Sequence, residues 1–138
     1  MTDQQPQATW SANNPFPEDD LSEIKAIAMD KAGHVWVGIW GDNTWRLEEK
    51  SVDGTWRRFD SDDGAPQGEI ISIAAAPDGS VWFGTWYSGL WKFSSDESWQ
   101  HFTPQDGLPG WAVSGVYIDT NGTLWLGTEG GTARYISE

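Results

Sequence analysis

The chain contains no cysteine, and its 138 residues carry only 8 basic side chains. Without cysteine there is no disulfide framework, no thiolate nucleophile and no zinc–thiolate site, and thiols say nothing about compartment. Set against 21 acidic residues, the few Lys and Arg leave a formal net charge of −13. A field of that sign repels phosphate backbones and anionic lipid surfaces, so neither nucleic-acid nor membrane partners are expected. Long apolar runs are missing too, none approaching the roughly 18 residues that span a bilayer. The opening Met1-Thr-Asp-Gln-Gln-Pro-Gln lacks the basic and apolar regions of a secretion signal. The default expectation is therefore a cytoplasmic location. The length suits one domain. What the chain has in abundance is Trp, 11 of them, together with 16 Gly and 7 Pro, a mixture that suggests short strands joined by tight turns.

Internal repetition organises these residues. Trp36, Trp82 and Trp125 lie 46 and 43 residues apart, and a second series, Trp10, Trp56 and Trp99, keeps the same two spacings. Each Trp of the first series sits in a Gly-x-x-Trp-x-Gly frame: Gly33-His-Val-Trp-Val-Gly38, Gly79-Ser-Val-Trp-Phe-Gly84 and Gly122-Thr-Leu-Trp-Leu-Gly127. The middle repeat reads as four strands: A over 70–75, B over 81–85, C over 90–93 and D over 99–102. The segment 20–29 has some helical character, but its place in the repeat is that of strand A. Four short strands per 43 to 46 residues is the period of a propeller blade. The expected fold class is all-β, a β-propeller.

Asp78-Gly-Ser-Val-Trp-Phe-Gly-Thr85, followed by Gly89-Leu90 and later by Asp106-Gly-Leu-Pro109, resembles the two-component regulator propeller repeat. The resemblance runs from about Trp10 to Tyr135. It implies a β-propeller in a ligand-sensing or interaction role, known from the sensor regions of bacterial signalling proteins, with no inherent reaction.

The third repeat has strands A, B and C over 113–118, 123–128 and 131–135, then ends without a D strand. Thr9-Trp10 matches Thr55-Trp56 and Ser98-Trp99, which open strand D elsewhere. The expected organisation is a disordered tail over 1–8 and three blades over 9–138, with 9–16 supplying the fourth strand of the C-terminal blade. Propellers close with about four to eight blades. Three four-stranded blades per chain therefore call for completion; the simplest partner is a second copy, a homodimer forming a six-bladed ring, and the alternative is that the three blades are part of a longer propeller.

A Trp filled in every repeat is most simply a blade-packing position. Trp45 and Trp91 fall in one strand C column by the same counting, as do Arg46, Lys92 and Arg134. Trp40, Trp86 and Trp111 are left over. They fall at B–C turns or D–A connections, which emerge on one face of a propeller. The same segments bring Asp42, Asp63, Asp106 and Glu129, together with Tyr87. Aromatic faces beside carboxylates suit a sugar ring, and they equally suit a cation. The competing expectation is that these Trp only cap blade ends, in a protein-interaction or sensor fragment, or a self-assembling half-propeller without a small-molecule ligand.

Metal, cofactor and catalytic roles find no motif. Asp60-Ser-Asp-Asp-Gly64 has its Gly one residue too early for a calcium loop and is expected to be a turn. Asp30, Asp78 and Asp119 are read as hairpin-turn residues, with Gly33, Gly79 and Gly122 at positive φ. His34 and His101 occupy different repeat phases, and neither belongs to a catalytic signature. The expectation is a binding module, not an enzyme, with no cofactor.

Overall fold

The computed structural model describes residues 9, 22–41, 43–66 and 68–135. Three antiparallel sheets follow one another along the chain. The first orders β1 (Glu23–Met29), β2 (Val35–Gly41), β3 (Thr44–Lys50) and β4 (Trp56–Phe59). The second repeats the pattern with β5 (Ile70–Ala75), β6 (Val81–Thr85), β7 (Leu90–Phe93) and β8 (Trp99–Phe102). The third holds β9 (Val113–Ile118), β10 (Leu124–Thr128) and β11 (Gly131–Arg134). These are the blades expected from the repeat, and the ambiguous segment before Asp30 is strand β1. The expected fourth strand of the last blade, over 9–16, falls outside the described residues apart from the exposed Thr9.

The two glycines of the repeat frame do different work. The first turns the A–B hairpin: Gly33, Gly79 and Gly122 have φ of +88°, +93° and +81°, a region that side chains rarely adopt. The second lets neighbouring blades meet. A Cβ on Gly38 would lie 3.0 Å from Ile70 Cβ, and one on Gly84 would lie 2.4 Å from the Val113 carbonyl oxygen. The innermost strands β1, β5 and β9 thereby pack side by side.

Strand pairing decides which way each Trp points. Trp36 faces the second blade, where its ring lies 5.5 Å from Phe83 and 5.3 Å from Phe93. Leu47, Phe59, Ile70 and Val81 complete this core. Trp82 repeats the arrangement one blade on: it stacks on Phe102 of its own blade, as Trp36 does on Phe59, and meets Tyr135 of the next, in a core with Leu90, Val113, Leu124 and Leu126. The blade-packing expectation holds for both, since Trp36 and Trp82 keep 1% and 3% of their surface exposed.

Repeat counting misplaces one strand. Trp82 pairs with Lys92, ten residues on, whereas Trp36 pairs with Glu49, thirteen on. The first blade's B–C hairpin is three residues longer, running to a tight reversal between Gly41 and Thr44. Trp45 therefore does not share a column with Trp91: it lies opposite Trp40, while Trp91 lies opposite Phe83. Likewise the slot of Lys92 and Arg134, opposite the repeated Trp, is filled in the first blade by Glu49 and not by Arg46.

Candidate binding face

The B–C turns and D–A connections do meet on one face. Trp86 N–H donates to the Glu69 carbonyl, and Gly89 N–H donates to the Trp111 carbonyl, each at 3.0 Å. One blade on, Ala112 N–H donates to the Glu129 carboxylate at 3.2 and 3.3 Å to its two oxygens. These bonds tie the turn carrying Trp86 and Tyr87 to the connection carrying Trp111, and that connection to Glu129. Trp86, Tyr87 and Trp111 are 41%, 76% and 46% exposed, large values for aromatic side chains. Trp86 and Tyr87 meet edge to face at 5.9 Å.

A relay of hydroxyls beneath holds the turn in shape. Trp91 Nε1 donates to Ser88 Oγ, Ser88 Oγ to Thr85 Oγ1, and Thr85 Oγ1 to the Gly89 carbonyl, at 3.2, 2.9 and 2.7 Å. Thr85 is fully buried, so its hydroxyl is satisfied within the turn itself. His101 stacks flat on Trp91 with centroids 3.7 Å apart, and its Nε2 meets the Ser88 carbonyl. The rings displayed above are thus carried on a rigid support.

The remaining expected site residues have other engagements. Trp40 is half-buried and its ring centre lies 3.9 Å from that of Trp45. Asp63 Oδ2 accepts from Asp60 N–H at 3.0 Å within the short 3-10 turn Ser61–Asp63, so the Asp60–Gly64 segment is a turn, as expected. Asp106 closes a capping box on the turn Pro104–Asp106, accepting from Thr103 N–H at 2.9 Å. Asp42 lies outside the described residues.

The opposite rim carries an arrangement that repeat counting missed. Trp36 Nε1 donates to Asp30 Oδ2, and Trp125 Nε1 to Asp119 Oδ2, each at 2.9 Å. The other carboxylate oxygen folds the hairpin, taking Ala32 and His34 N–H in the first blade and Asn121 and Thr123 N–H in the third. The signal was present as an Asp six residues before the Trp, with Ala76 in its place in the second repeat. The indole bond, the largest cause, and the hairpin amides hold the Asp119 carboxyl below its ordinary value; at Asp78 the Ser80 hydroxyl and N–H do the same. Lys92 Nζ sits 5.2 Å over the Trp82 ring and the Arg134 guanidinium 5.7 Å over Trp125. In the first blade, by contrast, His34 Nδ1 lies 2.8 Å from Glu49 Oε2. The sequence could not pair these two, because the contact depends on the lengthened hairpin.

The family model for the two component regulator propeller matches residues 64–87 and 107–130. These two segments match as two-component regulator propeller repeats. Each matched segment runs from a D–A connection to a B–C turn, so the two together contain Trp86, Tyr87, Trp111 and Glu129. The extracellular domain of a hybrid two component system from B. thetaiotaomicron is similar at 28% identity and a TM-score of 0.67, over 82% of this chain and 15% of that one. The extracellular domain of a one component system from the same organism gives 21% identity and a TM-score of 0.66, over 96% of this chain and 17% of that one. Catalytically inactive virginiamycin B lyase from Staphylococcus aureus, solved with quinupristin, gives 17% identity and a TM-score of 0.62, over 86% of this chain and 43% of that one. The propeller chain thus spans between 15% and 43% of the length of these structures. No curated protein matches it in sequence. The default of a cytoplasmic location is corrected by these structures: those from signalling systems are extracellular domains.

Proposed function

We propose that this propeller is a non-enzymatic binding module of a sensor, and that it recognises a small ligand, a carbohydrate by its chemistry, on the face formed by Trp86, Tyr87 and Trp111. The observation that carries the reading is exposure on a rigid support: three large aromatic rings lie open on hydrogen-bonded turns, with the Glu129 carboxylate anchored beside them. Rings of this kind stack on the apolar C–H face of a sugar, while the carboxylate accepts from its hydroxyls. A patch rimmed by acids and left open is also what an interaction site looks like on a soluble domain. Asp63 and Asp106 serve the shape of the loops, not direct contact. Screening on a glycan array, followed by tryptophan-fluorescence titration of the hits, tests the proposal. Trp111→Ala should weaken binding at least about tenfold, equivalent to about 1.4 kcal/mol. A folded protein that responds to no glycan in either assay overturns it.

A second reading, self-assembly, is favoured by a different observation. Trp125 is 41% exposed where its counterparts Trp36 and Trp82 are covered by the next blade. At the other end Ile27, the counterpart of Ile73 and Val116, is 65% exposed. A second copy would seat its first blade on Trp125, and repetition about a two-fold axis would give six blades. Solution mass tests this directly, and a monomer at high micromolar concentration rejects it.

A further inference from the structure

We propose that Asp30, His34 and Glu49 form a binding site for a divalent cation of the zinc class, at the first blade's A–B rim and away from the aromatic face. One atom from each residue lies within 4.8 Å of the other two. His34 Nδ1 is 2.8 Å from Glu49 Oε2 and 3.6 Å from Asp30 Oδ2. Ligands bound tetrahedrally at about 2.0–2.2 Å stand roughly 3.3 Å from one another, so the three atoms need only small shifts to share one ion. An imidazole with two carboxylates suits a borderline transition ion better than calcium or magnesium, which prefer oxygen alone.

The surroundings prepare these groups for a cation. Asp30 is oriented by the Trp36 indole N–H and by two backbone amides, the outer-shell support that metal ligands ordinarily have. The Glu49 side chain is 9% exposed, and among the described residues no Lys or Arg pairs with it or with Asp30. Burying a carboxylate without a cation is unfavourable. The other two blades hold their own cation at the equivalent slot, Lys92 over Trp82 and Arg134 over Trp125. The first blade puts an acid there instead and adds a histidine. In the first blade alone, donor atoms that can hold an external cation stand where the others have an internal one. A groove of about 430 Å³, with Ser94, Ser95 and Glu97 of the second blade across from the three donors, leaves room for water or a further ligand at the open coordination position.

The test is titration of metal-stripped protein with Zn²⁺ alone, followed by calorimetry and by nitrogen-15 spectra of the imidazoles. The chain has only two histidines, so the readout is specific. One equivalent should bind and move the ring signals of His34, while those of His101, stacked on Trp91, stay in place. Glu49→Gln and His34→Ala should each weaken the affinity at least about tenfold. Unmoved His34 signals on saturation of the wild-type protein overturn the site, and so does equal affinity in the His34→Ala variant. Because the wild-type spectra need no substitution, a variant that fails to fold leaves the proposal open to refutation. Loss of the site would leave the proposed ligand face untouched.

Discussion

The two junctions between blades and the outer face of the third blade are built from the same repeat and have different fates. At the first junction Trp36 is sealed against Phe83 and Phe93, and at the second Trp82 is sealed against Tyr135, Leu124 and Leu126. The third Trp in the series is anchored by the same carboxylate bond as Trp36, yet its ring is 41% exposed beside Tyr117, itself 64% exposed. The glycines follow suit. A Cβ on Gly38 or Gly84 would run into the next blade's inner strand, while one on Gly127 would meet only Ser114 Oγ, at 3.9 Å. The repeat therefore encodes a face that expects a neighbour, and whether a neighbour is there decides what each residue contributes.

The largest test of that contrast is at the Trp series. Trp36→Ala should cost about 3–5 kcal/mol of folding stability, because it empties the centre of an aromatic core. Trp125→Ala should cost less, about 1 kcal/mol in an isolated chain, since 41% of its surface is already open to solvent and no blade packs over its ring. Urea unfolding at two protein concentrations, with sedimentation alongside, separates the cases. If the third blade seats on a second copy, unfolding of the parent will depend on concentration, and Trp125→Ala will abolish that dependence together with the larger mass. Equal costs at both positions without any association would break the comparison.

A middle-sized effect is expected at the glycines. Gly84→Ala places a methyl 2.4 Å from the Val113 carbonyl oxygen, so β6 and β9 must separate. Overpacking of this kind costs about 1–3 kcal/mol. Gly127→Ala has open space and ordinary φ, and should be neutral or slightly stabilising through the unfolded chain. Thermal melts of the pair measure the difference; a Gly127→Ala variant as damaged as Gly84→Ala would mean that the face is covered in solution.

Much of this was legible in the sequence, because spacing carries it. Glycine and tryptophan at fixed offsets gave the blades and the hairpin turns, while the role of the second glycine in letting inner strands meet emerged only from the packing. The Trp86–Trp111 face followed from which turns a propeller brings together. What repeat counting could not supply was register. A hairpin lengthened by three residues moved Trp45 next to Trp40, put Glu49 in the slot that counting had given to Arg46, and brought His34 to a carboxylate fifteen residues away. Nor does an acid count tell which backbone a carboxylate serves: Asp63 and Asp106 cap their own loops, whereas Glu129 accepts from Ala112 N–H of a separate connection beside Trp111.

The smallest effect sharpens the same contrast at the carboxylate anchor. Asp119 is held below its ordinary carboxylate value first by the Trp125 indole N–H and then by the hairpin amides. A group whose folded value is depressed contributes stability above its unfolded value, near 3.9, and that contribution disappears as the pH falls through the lower folded value. The urea midpoint of the parent should therefore drop between pH 5 and the region below about pH 3, Asp78 acting in the same direction through Ser80. Asp119→Ala recreates the second repeat, where Ala76 occupies this place and Trp82 keeps only a cation over its ring. It should lower the midpoint modestly at neutral pH and flatten the acid-side slope, because the anchored carboxylate is gone. Trp82 tolerates that loss because the third blade covers it; Trp125 in an uncovered face has only Arg134. A variant whose acid-side slope equals that of the parent would show that the Asp119 carboxylate, with its indole and amide bonds, is not a source of the acid-side loss.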